Sequence, residues 1–240
     1  MKKNKLEINY WLRKLYTSKL YQLLSIDKSK LKKRVFTSIY KSNHWVQNSQ
    51  SLPNKFISVS GHGSNLNTKQ YHNLYSNFVT MVEKYKINSL IDMPCGDFLW
   101  MKKIINEKKL KYLGIDIVEE LIETNKKNHI NKNINFLTKD IVNFYTDEKY
   151  DLVLIRDFFI HINNSDIIQI LKNLKNMRIK YVALNNYNIE QNKDVIIGQH
   201  RKVNLLIEPY NLPNPIFSFK DHENDKFLCL YKLEDLNSIQ

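Results

Sequence analysis

Three short apolar runs along the chain each end in an acidic residue, and these acids are the residues best placed to do chemistry. They are Asp92, Asp116 and Asp140. Because the carboxyl ends of parallel strands meet along one edge of a sheet, acids that follow successive strands converge on one crevice. A turn, Pro94 to Asp97, follows the first acid, and Gly96 lets its backbone come close to a ligand. The pattern predicts a nucleotide-like cofactor at this edge.

The spacing of the acids and the glycine indicates which part of a cofactor each would hold. Asp116 follows Gly96 by about 20 residues, the distance at which dinucleotide folds hold a pair of ribose hydroxyls. The turn has one glycine and no GxGxxG, so it lacks the close cradle that a pyrophosphate needs. Acids beside the turn, Asp92 and Asp97, favour a cationic group instead.

Four segments resemble those of a known enzyme family. They are SGHGS at 60–64, DMPCGDFLWM at 92–101, RDFFIHI at 156–162 and GQHRKVNLLIEPYNLP at 198–213. Together with the strand-end acids and DLVLIRD at 151–157, they resemble the class I S-adenosylmethionine-dependent methyltransferases. More narrowly, they are similar to a bacterial subgroup associated with capsule and surface-glycan modification, including O-methyl phosphoramidate.

The resemblance implies a set of residues that hold S-adenosylmethionine. The methionine part would lie against Asp92 and Gly96, the ribose against Asp116, and the adenine against Asp140. The full implied set is Asp92, Pro94, Cys95, Gly96, Asp97, Trp100, Asp116, Ile117, Asp140, Ile141 and Arg156.

The acceptor side is predicted from polar residues after the fourth strand and in two loops. We expect Arg156, Asp157 and His161 to be catalytic, with His161 as the base that a hydroxyl acceptor would need. Acceptor contacts are expected from Ser60, His62, Ser64, Gln199, His200 and Arg201. The arginines favour an anionic acceptor, a sugar phosphate or phosphoramidate. The alternatives are that His161 only bonds locally, that Arg156 pairs with Asp157, and that Arg201 is a solvated charge.

Alternating apolar strands and amphipathic helices predict an α/β fold. We expect a doubly wound, Rossmann-like, seven-stranded and mostly parallel sheet over residues 58–240, with a basic helical extension at 1–57. Strands are predicted at 150–155, 181–186 and 203–207, among others, and a helix is predicted to begin after Thr68. The final antiparallel strand is implied by the resemblance.

Charge is concentrated at the N-terminus. The chain has 240 residues, 37 basic and 24 acidic, for a net charge of +13. Residues 1–50 hold twelve basic and two acidic residues, a net +10, and residues 5–26 place leucines on one helical face. Such a helix either docks on the core, lies on a membrane surface or contacts nucleic acid. An RNA methyltransferase is therefore the alternative function, although the balanced charge elsewhere does not favour nucleic acid.

Cysteine content and hydropathy limit the classes of protein to which this chain can belong. Two cysteines, Cys95 and Cys229, are too few for a disulfide framework or a zinc site, and no metal is expected. No apolar run reaches the ~18 residues of a membrane span, and the start lacks a signal-peptide core. We expect a cytoplasmic enzyme for a small-molecule or glycan acceptor, with the inner face of the membrane as an alternative location.

Overall fold

The apolar runs form the strands of one sheet in the computed structural model, which describes residues 2–46, 57–221 and 225–238. The strands are β1 (Ser89–Asp92), β2 (Lys111–Asp116), β3 (Ile134–Thr138), β4 (Tyr150–Ile155), β5 (Ile179–Tyr187), β6 (Phe217–Lys220) and β7 (Lys226–Lys232). The helices are α1 (Lys2–Tyr16), α2 (Lys19–Leu24), α3 (Lys28–Lys41), α4 (Lys69–Lys84), α5 (Lys102–Lys108), α6 (Glu119–His129) and α7 (Asn164–Lys175).

The order of the strands determines where a ligand can lie. The seven strands follow the order β3-β2-β1-β4-β5-β7-β6, so the predicted seven-stranded sheet is confirmed. Neighbours among β1 to β5 run parallel, whereas β7 is antiparallel to both β5 and β6. The chain reverses its direction of progress across the sheet between β1 and β4. In open α/β sheets, ligands bind outside the carboxyl ends of the strands at this reversal.

Alternate residues of each strand face opposite sides of the sheet, and helices cover both sides. Ile91 and Val153 face the layer that contains α3 and α7. Leu90 and Leu152 face the layer that contains α4 and α5. The helix predicted after Thr68 is α4, and the Thr68 hydroxyl accepts a hydrogen bond from the Tyr71 amide. Both faces of the sheet are therefore buried.

The N-terminal segment differs from the predicted extension in two ways. The helix expected over 5–26 is two helices, because the chain breaks at Thr17 and Ser18, where Ser18 caps α2. The helix α3 is packed into the core through Leu31, Val35 and Ile39, all at most 2% exposed. A boundary at residue 57 therefore separates segments that pack together. In the described residues, no helix is both long enough and apolar enough to cross a membrane.

Residues 203–207 form an irregular buried segment, not the predicted strand. The side chain of Asn186 accepts a hydrogen bond from the Leu205 amide, and Leu212 donates its amide to the Leu205 carbonyl. These partners satisfy the backbone amide and carbonyl of Leu205 without a neighbouring strand. The sheet instead gains β6 at Phe217–Lys220, after the proline-rich stretch.

Candidate active site

A cavity of about 440 Å³ opens at the carboxyl ends of the central strands. Its volume lies within the roughly 300 to 1,000 Å³ usual for small-molecule sites. All of the predicted cofactor residues line it except Asp97. We call the part around Asp92, Gly96, Asp116 and Asp140 the cofactor end, and the part around Trp45, His161, His200 and Lys226 the acceptor end.

The carboxylate of Asp92 is buried at the cofactor end. The Tyr112 hydroxyl donates a hydrogen bond of 2.9 Å to it, and the Asp92 residue is 2% exposed. Burial raises the pKa of Asp92 to about 7, although the bond from Tyr112 and the charge of Arg156 oppose this change. A buried acid with this pKa favours a cationic ligand, which would stabilise its ionised form.

Asp116 links the end of β2 to the glycine turn. Its carboxylate accepts hydrogen bonds from the Gly96 amide at 3.3 Å and the Val118 amide at 2.9 Å. Burial raises the pKa of Asp116 to about 6 against these two bonds. Gly96 has φ +55°, and a Cβ there would meet the Ser60 hydroxyl at 2.0 Å, so the turn requires glycine. The next helix, α5, begins at Lys102.

Asp97, which was predicted to contact the cofactor, does not line the cavity. Its carboxylate accepts hydrogen bonds from the Val59 amide at 2.8 Å and the Ser58 hydroxyl at 3.1 Å. The Asp97 amide in turn donates to the Ser60 hydroxyl at 3.0 Å. Asp97 therefore fastens the SGHGS loop to the glycine turn, and this loop brings Ser60, His62 and Ser64 to the cavity wall as predicted.

Asp140 lines the cofactor end, where an unpredicted lysine reaches it. The ammonium of Lys32 in α3 lies 3.5 Å from Asp140 and 3.5 Å from Asp166, and Lys32 is 3% exposed. The Asp140 side chain also accepts a bond from the Val142 amide and begins a short 3₁₀ helix, Ile141–Asn143. A lysine among the apolar positions of a helix was the available sequence signal for this contact.

Cys95 lines the cavity as a buried thiol. Burial raises the pKa of Cys95 well above its usual value, so the neutral thiol is the stable form and a nucleophilic role is not supported. Within the described ranges, no group of three or more histidine, cysteine or acidic side chains is placed to hold a metal ion.

Arg156 is fully engaged by protein groups, in contrast to its predicted role as a cation for the acceptor. Its guanidinium makes two hydrogen bonds of 2.9 Å to the carboxylate of Asp221 and one of 2.9 Å to the Gly63 carbonyl. It also lies 5.0 Å from the centre of the Trp100 ring. Arg156 therefore joins the end of β4 to the SGHGS loop and to the chain after β6. Its predicted pairing with Asp157, at 3.3 Å, is a weaker part of this network.

Asp157 and Lys226 complete a charge-balanced cluster at the acceptor end. The Lys226 ammonium lies 2.5 Å from Asp157 and 3.2 Å from Asp221. Burial acts to raise the pKa of Asp157, but Lys226 and Arg156 outweigh it and hold that pKa below its usual value. Two cations thus neutralise two carboxylates. Lys226 lies 69 positions after Asp157 in the chain, and no local sequence pattern pointed to it.

His161 lies in the cavity wall with one ring nitrogen occupied. Its Nδ1 lies 3.0 Å from the carbonyl oxygen of Gln199. A carbonyl only accepts hydrogen bonds, so Nδ1 carries the proton and Nε2 of the neutral ring is an acceptor. Burial lowers the pKa of His161 to about 4, so the ring is neutral at physiological pH. This arrangement gives the expected base both its tautomer and its charge state.

Aromatic residues from the N-terminal segment form much of the acceptor end. Trp45 lies 5.4 Å from the His161 ring at an interplanar angle of 33°, and His200 lies 5.8 Å from it on a T-shaped contact. Phe36, Tyr40 and His44 also line the cavity. Of the three predicted residues at 199–201, only His200 lines it. Gln199 contributes its backbone carbonyl to His161 instead.

Arg201, which was predicted to contact the acceptor, does not line the cavity. Its guanidinium donates hydrogen bonds of 2.8 Å to the carbonyls of Phe159 and Ile162 and one of 2.6 Å to the Asn164 side chain. These groups belong to the turn that carries His161 and to the start of α7. Arg201 is therefore a structural arginine that holds this turn in place.

The segment that carries Gln199 is fastened to the N-terminal helices. The side-chain amide of Gln22 in α2 donates to the Ile197 carbonyl at 2.7 Å and accepts from the Ile197 amide at 2.9 Å. The Gly198 amide donates to the His161 carbonyl at 2.8 Å. Gly198 has φ +84°, and a Cβ there would meet Val35 of α3 at 2.5 Å. The N-terminal helices thus help to place His161.

The cofactor end has the carboxylate oxygens and the apolar surface that S-adenosylmethionine requires. Asp92 and Asp116 are buried carboxylates whose raised pKa values call for cationic or hydroxyl partners. The methionine part carries an ammonium and a sulfonium, which suit Asp92, and the ribose hydroxyls suit Asp116. Ile117, Ile141 and Leu121 supply an apolar wall for a base.

Known proteins share this fold. Residues 90–178 match the family described as a methyltransferase domain. The chain is similar to magnesium protoporphyrin IX methyltransferase from Synechocystis PCC 6803 with bound S-adenosylmethionine, at 12% identity and a TM-score of 0.55, covering 87% of this chain and 98% of that one. No curated protein matches the sequence significantly.

Two further solved structures are similar to this chain in fold. A protein from Pyrococcus horikoshii OT3 has 16% identity and a TM-score of 0.52, with 69% of this chain and 92% of that one covered. An S-adenosylmethionine-dependent methyltransferase from Clostridium acetobutylicum ATCC 824 has 12% identity and a TM-score of 0.52, with 68% and 91% covered.

Proposed function

We propose that this S-adenosylmethionine-dependent methyltransferase methylates a neutral hydroxyl group of a small-molecule or glycan-linked acceptor. The observation that carries the proposal is the state of His161. The hydrogen bond from Nδ1 to the Gln199 carbonyl leaves Nε2 as an acceptor, and burial lowers the pKa of the ring to about 4. A neutral imidazole in a cavity wall is suited to receive a hydroxyl proton.

The chain's own residues have a defined part in such a reaction. S-adenosylmethionine supplies a methyl group bonded to a cationic sulfur. Nε2 of His161 would take up the proton that the acceptor hydroxyl loses on methylation. The rest of the acceleration comes from orientation and the exclusion of water by the cavity walls.

The charges of the cavity support a neutral acceptor over the anionic one expected from the sequence. Among the described residues that line the cavity, each lysine and arginine lies within 3.5 Å of a carboxylate: Lys32 pairs with Asp140, Arg156 with Asp221, and Lys226 with Asp157. An anion would have to compete with these carboxylates. Trp45 lines the cavity beside His161, and an aromatic ring there suits a sugar; the resemblance to the capsule and surface-glycan subgroup supports the same class.

The RNA alternative has less support. Several basic residues of α3 pair with acids of the domain: Lys32 with Asp140, Lys33 with Glu119 and Lys41 with Glu120. Their charge is therefore partly neutralised before any phosphate backbone approaches.

A single assay compares these acceptor classes. The full chain is incubated with S-adenosylmethionine and, separately, with neutral sugars, their phosphate esters and short RNA, and mass spectrometry locates any added methyl group. We expect methylation of a sugar hydroxyl, whether or not the sugar carries a phosphate elsewhere. Methylation on a phosphoryl oxygen, or of RNA alone, would show that the acceptor class is wrong.

A further inference from the structure

Most of the large apolar side chains that are exposed in the described chain belong to one short segment near the N-terminus. Nine of the eleven large hydrophobic residues exposed in the described part lie in or just after α1 and α2. We call these nine residues the N-terminal face: Ile8, Tyr10, Trp11, Leu12, Leu15, Leu20, Leu23, Leu24 and Ile26. Exposure in α2 and just beyond it is extreme, at 69% for Leu20, 72% for Leu24 and 99% for Ile26. So many exposed apolar side chains in one short segment mark an interaction site.

The helices that carry this face are nevertheless held firmly. Gln22 of α2 makes its two buried hydrogen bonds to Ile197, and the Asn9 side chain of α1 donates to the Lys41 carbonyl at 3.2 Å. The apolar side chains therefore point outward from an ordered pair of helices. Two side chains on these helices thus fasten them to α3 and to the segment at Ile197.

The positive charge around the N-terminal face favours an anionic partner. Residues 1–50 carry a net +10. Three lysines of α3 pair with acids of the domain, but Lys14 and Lys19 are exposed among the apolar residues. A second copy of the chain would bring two basic segments together, which like-charge repulsion opposes. An anionic bilayer supplies the opposite charge and an apolar interior together. Tyr10 and Trp11 are of the types that favour the headgroup region, and the Lys14 ammonium lies 4.8 Å from the Tyr10 ring centre.

We propose that the N-terminal face docks the protein on the surface of an anionic lipid bilayer. The leucines and the tryptophan enter the boundary between headgroups and acyl chains, while the lysines and arginines bind acidic headgroups. Lys32, Phe36 and Tyr40 of α3 line the cavity, and α1 packs against α3, so the docking helices adjoin an element of the cavity wall. The proposal does not depend on which acceptor is methylated.

Deleting α1 and α2 would be a poor test, because it also removes Gln22 and its bonds to Ile197. The sharper variant is the full chain with Leu23→Glu and Leu24→Glu together, since both side chains are at least 70% exposed. The matched control is Ile130→Glu, because Ile130 is 54% exposed but lies at the end of α6. Urea unfolding checks that all variants fold equally well.

Sedimentation with vesicles measures docking. We expect the parent chain to bind vesicles of phosphatidylglycerol and phosphatidylcholine, to bind pure phosphatidylcholine at least about tenfold more weakly, and to lose affinity as salt is added. The double variant should bind the anionic vesicles at least about tenfold more weakly than the parent, and Ile130→Glu should bind like the parent.

Four results would overturn the proposal. They are absence of sedimentation of the parent, equal binding to both vesicle types, equal binding by the double variant, and a parent dimer that the double variant converts to a monomer. The last result would identify a second copy as the partner. Methyl transfer to a soluble sugar is measured separately, so failure of docking and failure of the proposed acceptor are distinguishable.

Discussion

The two ends of the cavity are built differently. At the cofactor end, Asp92 and Asp116 each end a strand of the parallel sheet. At the acceptor end, Trp45, His161 and Lys226 come from the region after α3, from the turn after β4 and from β7. The first arrangement is set by short local patterns, because the sheet itself brings strand ends together. The second exists only once segments far apart in the chain have packed against each other.

The two ends also differ in their electrostatics. Asp92 and Asp116 are buried and have raised pKa values, with hydrogen bonds from a tyrosine hydroxyl and backbone amides. At the acceptor end, Arg156 and Lys226 already balance Asp157 and Asp221. One end therefore suits positive charge and hydrogen-bond donors, whereas the paired charges of the other end support the proposed neutral acceptor.

Replacement of His161 tests the acceptor end and should have the largest effect. With His161→Ala, we expect kcat to fall by about 10² to 10⁴, because the base that accepts the hydroxyl proton is lost. Affinity for S-adenosylmethionine, measured by calorimetry, should stay the same, since His161 lies at the other end of the cavity. His72→Ala, at an exposed position of α4, is the control. Near-normal turnover would mean that the acceptor oxygen needs no base.

Arg201→Ala separates a structural role from contact with the acceptor. Loss of its bonds to Phe159, Ile162 and Asn164 leaves part-buried oxygens without partners, so the free energy of unfolding should fall by about 2 to 3 kcal/mol. Urea unfolding measures this loss, with exposed Arg178→Ala as the control. Arg201→Lys should recover only part of the stability. A higher KM for the acceptor at unchanged stability would restore the interpretation made from the sequence.

The sequence predicted the sheet and the convergence of the strand-end acids, for physical reasons that do not apply to the acceptor end. A strand followed by an acid is a local pattern, so the sequence alone was enough to predict that Asp92, Asp116 and Asp140 lie along one cavity. Arg201 shows the limit. Its type and its neighbours favoured an anion site, but the carbonyls that it binds belong to residues about 40 positions earlier, which no local pattern encodes.

The N-terminal helices show the same limit in another way. Their basic composition indicated an appendage, yet Lys32, Phe36 and Trp45 line the cavity. The spacing of apolar residues in a helix shows that one face is buried, but not against what. Gln22 has no distinguishing context in the sequence, and its role appears only from its two bonds to Ile197.

The dependence of cofactor affinity on pH is the smallest of these effects and tests the cofactor end. Burial raises the pKa of Asp92 to about 7 and that of Asp116 to about 6, above the value near 4 of an unfolded chain. In the free protein, the stability that protonated carboxyls contribute is present below about pH 4 and is lost as the pH rises through 6 and 7. A ligand with positive charge and hydroxyl donors favours the ionised forms instead.

Binding of S-adenosylmethionine should therefore release protons, and affinity should rise about tenfold between about pH 5.5 and 7.5. Calorimetry in two buffers of different ionisation enthalpy counts the protons released. Asp92→Asn should remove the part of the dependence near pH 7 and leave the part near pH 6, which belongs to Asp116. If affinity stays constant over this range and no protons are released, these carboxyls do not contact the cofactor. The two ends of the cavity would then not differ in their electrostatics as described above.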